Sequence, residues 1–213
     1  KIRKVLCRPI MSDSDAKNII RRKRLDSFDA LLEFIKDNKT YSFAELTKIA
    51  ELANAERYNN AAYYTRQDIC YSIIGNLPEA KEYSSINILE LSIGVGNFLP
   101  TLIEKYAQVT SVNIDVVDVD SNSLELLKVL VAKIQVPKNI HINYINADFL
   151  LLDFEKRYDI VVGNPPYMKI TKDKNLLAKY KEMAYNTDTN NIFSFFIEKA
   201  LKIGNIVSLI VPK

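Results

Sequence analysis

INILELSIGVGNFL, residues 86–99, decides how the rest of the chain is read. Ile86 to Leu91 is an apolar run of strand length, and Gly94 and Gly96 follow where a strand would turn tightly into a helix. A lone GxG makes such a turn in many contexts, so its meaning depends on whether strands and helices go on alternating. They do. Ile114 to Val117, Ile140 to Ile145, Ile160 to Val162 and Ile206 to Val211 are further strand candidates, separated by helical patterns that are clearest at 124–134 and 192–202. The alternation predicts an α/β domain with a largely parallel sheet.

Upstream the period is helical. Phe28, Leu31, Leu32 and Ile35 recur at helix spacing, and Phe43, Leu46, Ile49, Ala50 and Ala53 repeat the pattern behind Ser42, whose partner Glu45 completes a capping box. The expected division is a basic, helical segment over 1–60 and an α/β domain over 61–213. The polar, lysine-rich stretch 168–190 reads as a mobile loop or short helices.

Composition narrows the class. With 213 residues, 48% of them hydrophobic, the chain can bury a substantial core. No run approaches the roughly 18 apolar residues of a membrane helix, and no secretory leader is visible. Cys7 and Cys70 are too sparse for a disulfide framework and His141 is the single histidine, so free thiols, a reducing compartment and no structural metal are expected. The start at Lys1, without Met, suggests a trimmed chain.

The net charge of +3 is unevenly spread. Residues 1–24 hold nine Lys/Arg against Asp13 and Asp15, ending in Arg21, Arg22, Lys23 and Arg24, whereas residues 61–213 hold sixteen basic and seventeen acidic side chains. The arm reads either as a solvated helix face or as a phosphate-contacting surface. Lys169, Lys172, Lys174, Lys179 and Lys181 form a second basic stretch, which favours a polyanionic substrate.

Ligands of open parallel sheets bind beyond the carboxyl ends of the strands. Residues there form a set: Glu90, Gly94 and Gly96 in the first, Asp118 in VVDVDSNSLELL, Asp148 and Phe149 in NADFLL, and Asn164 to Tyr167 in DIVVGNPPYM. Asp118 lies 22 residues after Gly96, near the spacing at which an acid grips ribose hydroxyls, although it could equally cap the helix beginning near Ser121. Position 99 is Leu rather than a third glycine, which disfavours a dinucleotide and favours a nucleoside cofactor without a pyrophosphate.

ELSIGVGNFL, the acid in VVDVD, ADF and GNPPY, in this order and spacing, resemble the motifs of S-adenosylmethionine-dependent DNA N6-adenine methyltransferases of the restriction-modification type. The resemblance runs from about Tyr63 to the C-terminus and includes YYTRQDI, residues 63–69. It implies a Rossmann-like class I methyltransferase fold with S-adenosyl-L-methionine as cofactor. Glu90, Ser92 and the Gly94–Gly96 turn would hold the methionine part, with Thr65 near its carboxylate and also capping the next helix. Asp118 would take the ribose, Val119 would pack on the adenine, Asp148 would accept from its amino group and Phe149 would lie beside its ring. One departure is Leu91, where the family often has Pro.

The same resemblance implies duplex DNA with a flipped adenine as substrate. Asn164 and the Pro165 carbonyl would accept from the target amine, and Tyr167 would stack on the base. The Pro165–Pro166 pair restricts the backbone, so the carbonyl direction is set in advance. Arg21, Arg22, Lys23, Arg24, Lys169, Lys172 and Lys174 are the candidate DNA contacts. NPPY also occurs in methyltransferases of release-factor glutamine and of ribosomal RNA guanine N2, and a cofactor-binding remnant without turnover is a third reading. Five strands where this fold normally has seven, and no target recognition domain, imply the N-terminal portion of a longer prokaryotic, cytoplasmic protein. A C-terminal recognition domain or a cognate restriction endonuclease would be its partner.

Overall fold

A row of five residues, one from each strand, organises the molecule. In the computed structural model, which describes residues 11–53 and 65–212, the strands are β1 (Ser85–Leu91), β2 (Ser111–Asp118), β3 (Ile140–Asn146), β4 (Tyr158–Gly163) and β5 (Gly204–Leu209). They form one sheet in the order β3-β2-β1-β4-β5, with every pairing parallel. Leu91 pairs with Val117 on one side and Gly163 on the other, Val117 with Ile145, and Gly163 with Leu209, so β1, β4 and β5 end on this row and β2 and β3 one residue beyond it. The strand order reverses between β1 and β4, which opens the crevice where such sheets take ligands. Cys7, the basic residues Lys1, Arg3, Lys4 and Arg8, Tyr63, Tyr64 and Lys213 lie outside the described residues.

Alternation along the strands supplies two cores. Ile86, Ile88, Ile114, Val116, Ile160 and Val162 face one side, against Leu99 and Leu102 of a helix over Leu99–Tyr106 and Leu127 of one over Ser121–Val131. Leu89, Leu91, Val117 and Val161 face the other, against Phe195, Phe196 and Ala200 of a helix over Ile192–Ile203. Each such buried side chain contributes roughly 1.5–3 kcal/mol relative to exposure.

Among the described residues the N-terminal segment holds α1 (Asp13–Lys23), α2 (Phe28–Asp37) and α3 (Phe43–Ala53). The Ser12 and Ser27 hydroxyls accept from the Asp15 and Ala30 amides, and the capping box ahead of α3 is formed in both directions between Ser42 and Glu45. The later helices are α4 (Gln67–Gly75), α5 (Leu99–Tyr106), α6 (Ser121–Val131), α7 (Lys174–Glu182) and α8 (Ile192–Ile203). Leu31, Ile35, Leu46 and Ile49 share a third core with Leu126 and Leu130 of α6 and with Val95, so the helical segment is seated on the α/β part beside the glycine turn.

Several local boundaries differ from the pattern-based reading. β5 runs two residues earlier than Ile206–Val211, because α8 passes directly into Gly204, which pairs with Tyr158, while Val211 is 44% exposed. α6 begins at Ser121, as the sequence suggests, but Asp120 rather than Asp118 caps it through the Asn122 amide at 3.0 Å, and it ends at Val131 rather than 134. Thr65 does not cap α4: the N-cap is Arg66, without a side-chain hydrogen bond. The stretch 168–190 contains α7 and is closed at its base, where Lys169 bridges Asn191 and the Ile192 amide donates to the Met168 carbonyl at 3.0 Å.

Candidate active site

One residue beyond the level row stand Asn146, Asp118, Ser92, Asn164 and Ile210. The crevice above them is a cavity of about 350 Å³. Thr65, Glu90, Ser92, Gly94, Asp118, Val119, Asp148, Phe149, Asn164 and Pro166 all line it. Gly96, Pro165 and Tyr167 are outside that lining, as are all the candidate DNA-contacting cations.

The chain leaves β1 through left-handed backbone at Ser92 (φ 48°), Gly94 (φ 55°) and Gly96 (φ 85°). A Cβ on Gly96 would sit 2.3 Å from Leu127 Cδ1, so a side chain there would have to displace Leu127 and adopt the strained left-handed backbone besides. The turn aims its amides at the second strand end: the Gly94 N–H donates to Asp118 Oδ2 at 2.7 Å and the Asp120 N–H to Oδ1 at 2.9 Å. Desolvation pushes the Asp118 carboxyl up to about 6, with these amides opposing. Asn146 holds the next residue by donating to the Asp118 and Val119 carbonyls, both at 3.0 Å, and Val119 is left 60% exposed at the cavity wall.

Glu90 lies deepest. Its side chain is 1% exposed, Oε2 has no hydrogen-bond partner, and desolvation pushes its carboxyl up to about 8 against a backbone contact from Phe98. Asn97 beside it donates through Nδ2 to Glu51 Oε2 at 3.2 Å, while its Oδ1 is unpartnered. Glu51 belongs to α3 and also lines the cavity.

At the third strand end, Asp148 accepts from the Leu150 amide at 2.9 Å and from the Tyr180 hydroxyl at 2.6 Å. Tyr180 is carried by α7, which covers this end of the cavity together with Leu176. Phe149 stacks on Phe196, centroids 4.9 Å apart, and Lys199 Nζ lies 5.5 Å from its centroid on the way to the Leu150 carbonyl. Burial beside Phe149 and Phe154 pushes the Lys199 ammonium down to about 8.

At the fourth, Gly163 is obligatory in another way: a Cβ there would meet the Leu91 carbonyl oxygen at 2.4 Å. Asn164 follows, donating through Nδ2 to Thr65 Oγ1 at 3.1 Å and accepting at Oδ1 from the Tyr167 hydroxyl. The Tyr167 hydroxyl also lies 3.1 Å from the Ile210 carbonyl and has one proton to divide between the two acceptors. Thr65, which lines the same cavity, thus also orients the Asn164 amide. Pro165 is buried and Pro166 half-buried.

The basic residues are on other elements. Arg21, Arg22 and Lys23 form the last turn of α1 and Arg24 is its left-handed cap, all exposed, where cations complement the helix dipole. Lys169, Lys172 and Lys174 are exposed and close in sequence to the cavity-lining Met168 and Leu176. Cys70 is buried and free, and its thiol is pushed up by desolvation. Among the described residues no cluster of His, Cys, Asp or Glu could hold a metal, and no helix is long and apolar enough to cross a membrane.

The strand-end reading missed Glu51, Asn97, Met168, Leu176, Tyr180 and Ile192, all of which line the cavity. Asn97 adjoins the glycine turn and could have been found there. Glu51 has no local signal, because only the docking of α3 brings it in.

Comparison with known proteins places this geometry. The Type II methyltransferase M.VspI of Vibrio sp. (strain 343) is 30% identical over 166 residues, which cover 73% of this chain and 38% of that protein. The chain thus spans about two-fifths of the length of that relative. A class I S-adenosylmethionine-dependent methyltransferase from Listeria monocytogenes superposes with a TM-score of 0.63 at 17% identity, covering 94% of this chain and 71% of the other. The type I restriction-modification methyltransferase subunit of Streptococcus thermophilus superposes at 0.55, with 15% identity over 78% of this chain and 39% of that one. The fold is therefore that of class I S-adenosylmethionine-dependent methyltransferases. Residues 42–213 match the Eco57I restriction-modification methylase family, and the chain belongs to that family.

Proposed function

We propose that this chain supplies the cofactor-binding and amine-activating part of a DNA methyltransferase that modifies the exocyclic N6 amine of adenine. The observation that carries the reading is the convergence of Glu90, Asp118, Asp148 and Asn164, from four strand ends, on one cavity of about 350 Å³. S-adenosyl-L-methionine is the cofactor, and it supplies an electrophilic methyl group on a sulfonium. The cavity fits a molecule with a cationic and a nucleoside end: buried acceptors without donors at Glu90 and Asn97, and an exposed apolar Val119 lining it together with Asp118 and Phe149.

The chain's own residues divide the work. Asp118 keeps lone pairs for ribose hydroxyls beyond the two amide bonds it accepts. Asp148, held by Tyr180, accepts from the adenine amino group of the cofactor. An aryl amine is a weak nucleophile because its lone pair is delocalised into the ring. Asn164 Oδ1 and the Pro165 carbonyl accept its two N–H bonds and draw the nitrogen towards a pyramidal geometry. Thr65 fixes the Asn164 amide for this, and the Tyr167 hydroxyl can turn its hydrogen bond wholly to the Ile210 carbonyl as the substrate arrives, keeping its proton and leaving Asn164 Oδ1 for the amine. Preorganised acceptors of this kind act on the transition state. The exposed lysines after Tyr167 and the arm Arg21–Arg24 supply phosphate contacts.

The test is methyl transfer by the intact protein carrying this chain on duplex DNA, ribosomal RNA and release factor in parallel, with identification of the methylated atom. N6-methyladenine in DNA is expected. Methylation of guanine N2 or of a glutamine amide instead would replace the DNA reading by one of those.

A further inference from the structure

We infer that Glu51, carried by α3 of the N-terminal helical segment, binds the α-ammonium group of the cofactor together with Glu90 and Asn97. This rests on the reading that the cavity holds S-adenosylmethionine. Glu51 is 9% exposed, Asn97 7% and Glu90 1%, and all three line the cavity. They come from three separate places, α3, the glycine turn and β1, yet present the same chemistry. Glu90 Oε2 and Asn97 Oδ1 are buried acceptors without a donor, and leaving such atoms unmatched is costly. Asn97 spends its donor on Glu51 Oε2 at 3.2 Å, which turns its oxygen free for another group and ties that carboxylate to the turn.

A primary ammonium has three N–H donors and no acceptor, which matches three oxygens from three side chains. A hard divalent cation instead takes six or more oxygens at short range. Desolvation already biases Glu90 towards its protonated form, pushing the carboxyl up to about 8, and a cation beside it would reverse that bias. The helical segment is thereby part of the cofactor site rather than an appendage. Leu46 and Ile49 on the same helix share a buried cluster with Val95 of the glycine turn, which seats α3 beside that turn.

The experiment is calorimetric titration of the chain with S-adenosylhomocysteine and with its analogue in which hydrogen replaces the α-amino group. Wild type is expected to prefer the amine-bearing ligand. Glu51→Gln, nearly isosteric, is expected to lose roughly ten- to hundredfold affinity for S-adenosylhomocysteine and to bind the deaminated analogue about as wild type does. Unchanged affinity for S-adenosylhomocysteine, or parallel loss for both ligands, overturns the inference. Should the variant fail to fold, hydrogen exchange on wild type decides: S-adenosylhomocysteine protects the amides of α3 more than the analogue does, and equal protection overturns the inference. Wild type that binds neither ligand overturns the cofactor reading, and the inference with it. Absence of methyl transfer to DNA leaves these binding outcomes intact, so the two failures are distinguishable.

Discussion

Glu90 joins the chemistry of the cavity to the stability of the fold. Its carboxyl is raised from the usual 4.5 to about 8 by desolvation, so between those pH values the folded chain holds a proton that the unfolded chain has released. Stability therefore falls as pH rises through that window, and Asp118, raised from 3.8 to about 6, adds the same sign over its lower part. Chemical denaturation at pH 5 and pH 8 should show this decline in wild type and a flatter profile in Glu90→Gln. At Asn164 the expectation concerns turnover. Its side chain bonds Thr65 and Tyr167, so Asn164→Ala should leave cofactor affinity nearly intact while lowering single-turnover methyl transfer in the intact protein on the order of a hundredfold or more. A variant whose main defect is cofactor binding would contradict the amine-activating role.

Elements place these residues by close approach as much as by composition. Gly163 sits where a Cβ would meet the Leu91 carbonyl at 2.4 Å between two central strands, so Gly163→Ala should destabilise the fold by about 1–3 kcal/mol in urea denaturation. Much of this level was legible in the amino acids. Apolar runs mark all five strands, and Glu90, Asp118, Asp148 and Asn164 from the first four strand ends line one cavity, whereas Gly96, Pro165 and Tyr167 do not. The boundaries were harder where polar residues take part in pairing: Gly204 and Asn205 belong to β5 although neither is apolar. Thr65 was read for a local cap and bonds a residue 99 positions away, and Glu51 enters through helix docking, which no short-range spacing records. α7 was missed as a definite element because its sequence is polar; it takes its place by burying Tyr180 against Asp148.

At the scale of the whole molecule, the basic arm and the lysines around α7 project from different parts of the surface, and their contribution to DNA binding is read by salt. Every phosphate that a removed cation no longer neutralises should reduce the slope of log affinity against log salt by about 0.9. Replacing Arg21, Arg22, Lys23 and Arg24 with Gln in the intact protein should flatten that slope, and an unchanged slope would assign the run to solvated surface at a helix end. The level row from Ile145 through Val117, Leu91 and Gly163 to Leu209 has a thermal consequence. Asp118, Ser92 and Asn164 hang from the ends of strands that are buried on both faces, and such strands open only when the whole fold opens. The cover formed by α7 can fray on its own, but the three anchors beneath it have no softening point below that of the sheet. Heating in the presence of S-adenosylhomocysteine should abolish binding at the same temperature at which the sheet itself melts, with no earlier inactivation step.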